Sequence, residues 1–230
     1  MGRACARGCA EGGLIVREVV PEVWRLFLAR FWRTLLIVGL LLAPLELLVL
    51  LLDPGFDLGA RWWAWVGLTS AVGLVLFPWV IGALIHDADG QDPTVVAAYR
   101  RTAGSLPDLA ISGLVTTVGI VLGTLALVVP GLILLSRWAL VVPLIVLDNA
   151  SWREALSRSN ELVRGRTWAV LGVCTMLTLI GAVVVALPVV AGYLVIEGVL
   201  GAWIATLAID TVGIAFYSFA PLVLYRRFTR

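Results

Sequence analysis

The sequence predicts an all-α, polytopic membrane protein with about six transmembrane helices. Of its 230 residues, 61% are hydrophobic and only 14% are charged, whereas a soluble domain carries about 25% charged residues. The apolar residues also fall in stretches of the ~20 residues that a helix needs to cross a bilayer. Because a soluble fold cannot bury this much apolar surface, we expect residues 16–230 to form one transmembrane domain. Residues 1–15 are expected to be a flexible cytoplasmic tail.

Six apolar stretches are long enough to cross the membrane, and taken in pairs they make three hairpins. The predicted spans are Thr34–Leu52, Trp62–Ile85, Leu109–Val129, Gly131–Leu147, Trp168–Val190 and Gly201–Tyr225. The fourth is short and is separated from the third by Pro130-Gly131. It therefore either crosses the bilayer or forms a re-entrant hairpin, which is tolerated where other helices bury it.

The distribution of arginine predicts the orientation. All 17 basic residues are arginine, and 15 of them fall in the N-terminal segment, the loops after spans two and four, or the C-terminus. The remaining two, Arg61 and Arg137, lie on or near the other side. Because cytoplasmic loops carry an excess of Lys and Arg, we expect a multi-pass protein of the cell (plasma) membrane with both termini in the cytoplasm.

A short amphipathic segment precedes each predicted hairpin, which indicates a three-fold repeat of surface helix plus hairpin. The segments are Val16–Phe31, Thr94–Leu106 and Ser151–Gly165. In the third, Ser151 and Glu154 fit a capping box, and Gly165 fits a helix end. A basic amphipathic helix lies in the membrane interface with its apolar face in lipid and its arginines near anionic headgroups.

The third segment supplies the candidate contacts with lipid or with a partner protein. One helical face carries apolar side chains and the opposite face carries arginines. The candidate contact residues are Trp152, Arg153, Arg158, Arg164 and Arg166. The expected partners are membrane lipids, anionic headgroups above all, with a protein partner as the other option. Nothing in the sequence indicates nucleic-acid binding.

The stretch from Pro130 to Gly172 resembles a known family. The resemblance is carried by Pro130-Gly131, Arg137-Trp138, Pro143, Asp148, Ala155-Leu156, Arg158-Ser159, Leu162, Gly165 and Trp168. These residues are similar to the signature region of the glycerophosphoryl diester phosphodiesterase membrane-domain family and its stand-alone bacterial relatives. The resemblance implies a multi-helix domain of a bacterial inner membrane. In fused members of the family, hydrolysis belongs to a separate soluble barrel, and nothing in this chain resembles that barrel.

Catalytic constellations are missing from the sequence. Metal-assisted hydrolysis needs several converging Asp, Glu or His ligands, and the single histidine, His86, is followed only by Asp87, Asp89 and Asp92. Those acids are also typical of a helix-ending turn. We therefore expect no catalytic residues, no metal site and no cofactor, and hence a protein that is not an enzyme.

Three ionisable residues inside predicted spans form a candidate polar pocket. Glu46 and Arg137 lie about 10 Å and 9 Å from the outer ends of their spans, and Asp210 about 14 Å, at 1.5 Å per helical residue. Charges inside a membrane are costly and often functional. Two acids and one base at similar depth either line a site for a small solute or lipid headgroup, or form a structural ion pair, or snorkel to the interface.

Two functions remain open at this point. The first is a non-enzymatic membrane protein that organises lipids or partner proteins through its arginine-rich surface helices. The second is a transporter of a small solute, or a lipid-translocating protein, that uses Glu46, Arg137 and Asp210. The first depends on the amphipathic helix at Ser151–Gly165, and the second on charges inside the membrane.

Overall fold

A computed structural model describes residues 17–52, 59–90, 94–195 and 199–229. The predicted tail at residues 1–15 lies outside these ranges. Every secondary-structure element in the described residues is a helix: α1 (17–29), α2 (Phe31–Leu51), α3 (Ala60–Asp89), α4 (Val95–Ala103), α5 (Leu106–Ala126), α6 (Val128–Arg137), α7 (Val141–Asp148), α8 (Trp152–Val163), α9 (Thr167–Val195) and α10 (Val199–Thr229).

The predicted all-α, six-span membrane protein is confirmed. Within the described ranges, six helical stretches are long and apolar enough to cross a bilayer. They are Phe31–Leu51, Ala60–Asp89, Leu106–Ala126, Val129–Asp148, Thr167–Ala186 and Leu200–Thr229. Each overlaps one predicted span, because a long apolar run is the strongest signal that a membrane-spanning sequence carries. Apart from α10, which is mostly buried by the other helices, these stretches keep more than half of their residues at the surface, as helices facing lipid do.

Glycines allow α5 and α6 to pack closely. A Cβ atom on Gly131 would lie 2.1 Å from Thr124 Oγ1, and one on Gly119 would lie 2.5 Å from the Trp138 ring. A Cβ atom on Gly123 would lie 3.2 Å from the backbone of Gly131. Small residues bring membrane helices together in this way because the backbones gain dispersion contacts at short range.

The fourth span is interrupted where α6 gives way to α7 at residues 138–140. Such a break exposes backbone polar groups, and an unpaired backbone group inside a membrane costs several kcal/mol. Here the Ser159 hydroxyl of α8 donates to the Arg137 carbonyl at 2.7 Å and accepts from the Leu140 amide at 3.2 Å. One side chain from α8 therefore satisfies backbone groups on both sides of the break.

The placement of Ser159 means that α8 folds back against the span that precedes it. Ala155, Ser159 and Val163, spaced four residues apart, are buried on one face of α8, which contacts α5, α6 and α7. This differs from the expectation of an apolar face lying in lipid. The physical reason is that small and hydroxyl-bearing side chains on this face permit close approach to protein backbone.

The expected capping box of α8 is wrong. Ser151 occupies the N-cap position, but its side chain makes no capping hydrogen bond. The Trp152 amide instead donates to Oδ1 of Asp108, in the first turn of α5, at 3.1 Å. The cap therefore comes from a residue distant in sequence, which local spacing does not reveal.

Helix α4 folds back on α3 in the same manner. Its buried residues are Ala98, Tyr99 and Thr102, and a Cβ atom on Gly82 of α3 would lie 2.4 Å from the Thr102 methyl group. The Tyr99 hydroxyl donates to the Ile37 carbonyl of α2 at 2.5 Å. Burial raises the pKa of this phenol, so Tyr99 stays a protonated donor that ties α4 to α2.

Ion pairs fasten the helices at one end of the bundle. Asp87, which is 2% exposed, pairs with Arg30 at 2.9 Å and with Arg33 at 2.7 Å. The other pairs are Arg226–Asp89 at 2.9 Å, Arg158–Asp148 at 3.0 Å, Arg227–Glu18 at 2.6 Å and Arg227–Glu22 at 3.2 Å. We call this the Arg-rich end, and it joins residues of α1, α2, α3, α7, α8 and α10.

We predict that Ser159→Ala destabilises the protein by about 1–3 kcal/mol, because it leaves the Arg137 carbonyl and the Leu140 amide unpaired. Ser157→Ala is the matched control, since Ser157 lies two residues away on the exposed face of α8. Unfolding of both variants in a mixed detergent titration measures the difference. Equal midpoints for the two variants would show that the Ser159 hydrogen bonds do not hold the break.

Candidate functional site

Glu46 and Asp210 come together at the interface of α2 and α10. The two side chains are close enough to interact with each other. Glu46 is only 8% exposed, and neither of its carboxyl oxygens has a well-formed hydrogen bond within the described part of the chain. Nearby, the Trp203 indole donates to the Ala43 carbonyl at 2.8 Å. The interface thus holds two neighbouring carboxyl groups, and the oxygens of one of them, Glu46, are not satisfied by described residues.

Arg137, the third residue of the predicted pocket, lies at the end of α6. Its side chain is exposed, and its carbonyl is the acceptor for Ser159. Among the ion pairs of the described residues, none joins Arg137 to Glu46 or Asp210. The structure therefore brings two of the three predicted pocket residues together, and a ligand for them stays a prediction.

The candidate contact arginines of α8 and of the segment after it have two different environments. Arg158 points to Asp148 and to Glu154, at 3.0 Å and 3.7 Å. Arg153 lies over the Trp152 ring at 4.9 Å, and Arg166 lies over the Phe228 ring at 5.1 Å. Arg164 is exposed and makes no ion pair with a described residue. Arg158 thus belongs to the ion pairs that fasten the bundle, whereas the other three arginines face outward.

Exposed arginines are also found on α1 and α4. A set of arginines on α1, α4 and α8, with the segment after α8, is exposed and makes no ion pair with any described residue. We call these the outward arginines: Arg17, Arg25, Arg100, Arg101, Arg153, Arg164 and Arg166. Two exposed tryptophans, Trp32 and Trp168, open α2 and α9 at this end, with 73% and 71% of their surface accessible. Trp at such a position is typical of the membrane–water interface.

A cavity of about 740 Å³ lies inside the bundle. Its walls come from α3, α5, α6, α9 and α10, each of which contacts the next. Residues from the break between α6 and α7 and from the start of α7 also line it. Toward the Arg-rich end, it is bounded by Ile85, Leu109 and Val141, which are at most 2% exposed.

One face of α10 contributes its accessible side chains to the cavity. Between residues 209 and 224 the exposed positions are Ile209, Gly213 and Tyr217, at a spacing of four residues. All three line the cavity. Because the rest of this segment is buried or half-buried, its accessible stripe is the one that faces the cavity.

The cavity walls are uncharged among the described residues, and most of their atoms are apolar. Hydroxyl groups are present, but several bond to their own helix: Thr69 donates to Trp65, Thr116 to Ser112 and Ser112 to Leu109, all through backbone carbonyls. Their protons are therefore already engaged. The space suits a hydrocarbon group better than an ion or a sugar.

Sequence reasoning did not find this cavity. The signal that it leaves is one glycine on each of four spans, because a missing side chain leaves volume in the middle of a bundle. The four are Gly73, Gly113, Gly181 and Gly213. The chain has 23 glycines, so the sequence alone does not separate these four from those that permit close helix packing.

Two of the acids beside His86 take part in the ion pairs of the Arg-rich end, and the third, Asp92, lies outside the described residues. Asp87 holds two arginines and Asp89 holds Arg226. His86 itself is 3% exposed. Within the described residues, no three His, Cys, Asp or Glu side chains converge as they would around a metal ion.

Comparison with known proteins places the chain in a family. Residues 106–226, which run from α5 into the last turns of α10, match the membrane domain of glycerophosphoryl diester phosphodiesterase. Comparisons with curated proteins and with solved structures returned no match. The matched region includes α8, the break that Ser159 repairs and most of the cavity wall, and it contains the stretch on which the sequence resemblance depends. The chain therefore belongs to the family of membrane domains of glycerophosphoryl diester phosphodiesterase.

Proposed function

We propose that this protein is a non-enzymatic membrane module that binds anionic phospholipids through the outward arginines. In this proposal the Arg-rich end faces the cytoplasm, as the excess of arginine there favours. The protein lies in the cell membrane and gathers lipids around α1, α4 and α8. Organisation of lipids, rather than chemistry on them, is the function that follows.

The observation that supports the proposal is the separation of the arginines into two sets. One set is neutralised by Asp87, Asp89, Asp148 and two glutamates. The other set is exposed and makes no ion pair with described residues. If the arginines served only to fasten the helices, acids would accompany all of them. The second set has instead a charge that a lipid headgroup can neutralise.

The geometry of α8 suits binding at headgroup depth. Ser159 and Asp108 fix this helix to the bundle, so its arginines are held in place before a lipid arrives. Arg153 rests on an aromatic ring, which reduces the freedom that its side chain loses on binding. A basic residue near an anionic leaflet contributes about 1 kcal/mol, so several together give useful selectivity.

We expect that the triple variant Arg153→Gln, Arg164→Gln, Arg166→Gln loses selective retention of phosphatidylglycerol. At about 1 kcal/mol for each charge, the preference falls by about two orders of magnitude. Native mass spectrometry of protein released from nanodiscs with equal phosphatidylglycerol and phosphatidylcholine measures the retained lipids.

The matched control replaces the same three arginines with lysine, which keeps the charge and should keep most of the preference. Retention by the glutamine variant at the wild-type level would overturn the proposal. Co-purification of an acidic protein in place of lipid, lost in the same variant, would assign the outward arginines to a protein partner instead.

A second function is favoured by one observation, the burial of Glu46 beside Asp210 with both of its carboxyl oxygens unsatisfied among the described residues. Two ionised carboxylates repel each other strongly where water is excluded. Uptake of a proton or a cation by such a pair is therefore favourable. A carrier that couples the movement of a small solute or lipid to proton movement would use it. Arg137 is not required for this version.

If the pair carries protons, proteoliposomes with a trapped pH-sensitive dye will show proton flux, and both Glu46→Gln and Asp210→Asn will abolish it. An amide retains the shape of the carboxyl group but does not carry the proton. Glu154→Gln is the control, since Glu154 is exposed on α8. Equal flux in wild type and in both variants would remove this function from consideration.

A further inference from the structure

We propose that the internal cavity is a binding site for the acyl chains of a membrane lipid. The proposal does not depend on lipid headgroups at the outward arginines, because the two sites share no residues. It assigns an occupant to the space that α3, α5, α6, α9 and α10 enclose.

The chemistry of the wall selects a hydrocarbon ligand. The described lining has no charged side chain, and the hydroxyl protons of Thr69, Ser112 and Thr116 are already donated to their own helices. An ion or a sugar would lose its hydration at a wall that offers no charge and few free donors in return. An apolar chain has no hydration to lose on entry, and it restores the dispersion contacts that an empty cavity lacks.

The size of the space also fits. Its volume of about 740 Å³ is within the usual range of ligand pockets, about 300–1,000 Å³. The lining of α10 extends from Ile209 to Pro221 and that of α9 from Cys174 to Val185. At 1.5 Å per residue these are walls of about 18 Å and 16 Å. The hydrocarbon region of one leaflet is about 15 Å thick, half of the bilayer core.

The surroundings supply this ligand. The chain is a multi-pass membrane protein, so lipid acyl chains are the apolar groups present at highest concentration around it. Apolar cavities exclude water and take up apolar molecules of suitable size. Ile209 and Tyr217, which keep 44% and 61% of their surface accessible inside the bundle, are the side chains that such a chain would cover.

A photoreactive lipid tests the proposal directly. The full-length protein is reconstituted in phosphatidylcholine vesicles that contain a phosphatidylcholine with a diazirine at the end of one acyl chain. After illumination, peptide mass spectrometry maps the adducts. We expect adducts at Ile209, Gly213 and Tyr217 in addition to those at lipid-facing leucines such as Leu36 and Leu40, which are 62% and 57% exposed.

Gly213→Leu is the informative variant. A Cβ atom on Gly213 meets nothing within 4 Å, so the leucine side chain enters the cavity without displacing a neighbour, and leucine is the better helix former. We expect loss of the adducts on α10 and no change at Leu36 and Leu40. Gly39→Leu is the matched control, because its Cβ atom is equally unobstructed and it does not line the cavity. It should leave all adducts in place.

Gly113→Leu is a second cavity-filling variant, for use if Gly213→Leu does not fold, since its nearest neighbour, the Pro78 ring, is 3.7 Å from the Cβ position. Adducts confined to lipid-facing positions in the wild type would overturn the proposal. So would α10 adducts that persist unchanged in the cavity-filling variants. Because phosphatidylcholine is zwitterionic, neither result depends on whether the outward arginines select anionic lipid.

Discussion

Much of the structure depends on one requirement, that backbone groups freed by the break in the fourth span be satisfied inside the membrane. Water is not there to pair with them, so Ser159 of α8 pairs with the Arg137 carbonyl and the Leu140 amide. To reach them, α8 must fold back along α7. The break in turn brings the Trp138 ring against Gly119 and into the cavity wall. The fold-back of α8, the close packing of α5 with α6 and part of the cavity are thus consequences of the same requirement.

The fold-back of α8 also decides which charges the protein keeps for itself. At the Arg-rich end, acids pair with the arginines that fasten the helices. Asp148, for example, binds Arg158 at 3.0 Å and accepts a hydrogen bond from the Tyr225 hydroxyl at 2.5 Å. The outward arginines are then presented by helices whose positions are already fixed. Our proposal that they bind anionic headgroups rests on this prior order, because rigid groups lose less entropy on binding than mobile ones.

The sequence predicts the spans well and their packing poorly, for physical reasons. Long apolar runs and the arginine bias are sums over many residues, so a few exceptional residues do not change the prediction. The motif between Pro130 and Trp168 was enough to identify the family. By contrast, the face that α8 buries is set by Ser159, a residue that looks like any exposed serine in sequence. The cap from Asp108 crosses 44 positions of the chain. The cavity comes from glycines on four separate helices, which only assembly brings together. Glu46 and Asp210 were identifiable as costly charges at similar depth and as members of one candidate pocket, but the sequence did not reveal that Arg137 stays apart from them.

Hydrogen–deuterium exchange of α8 in nanodiscs tests the central claim most directly. If α8 is a fixed platform for anionic headgroups, the amides of Trp152–Val163 will exchange more slowly in phosphatidylglycerol than in phosphatidylcholine, because bound lipid lowers the population of locally opened states. The amides of α6 are the control, because no outward arginine lies on that helix. They should exchange equally in the two lipids. Identical protection of α8 in the two lipids would contradict the account and leave the outward arginines without the role proposed for them.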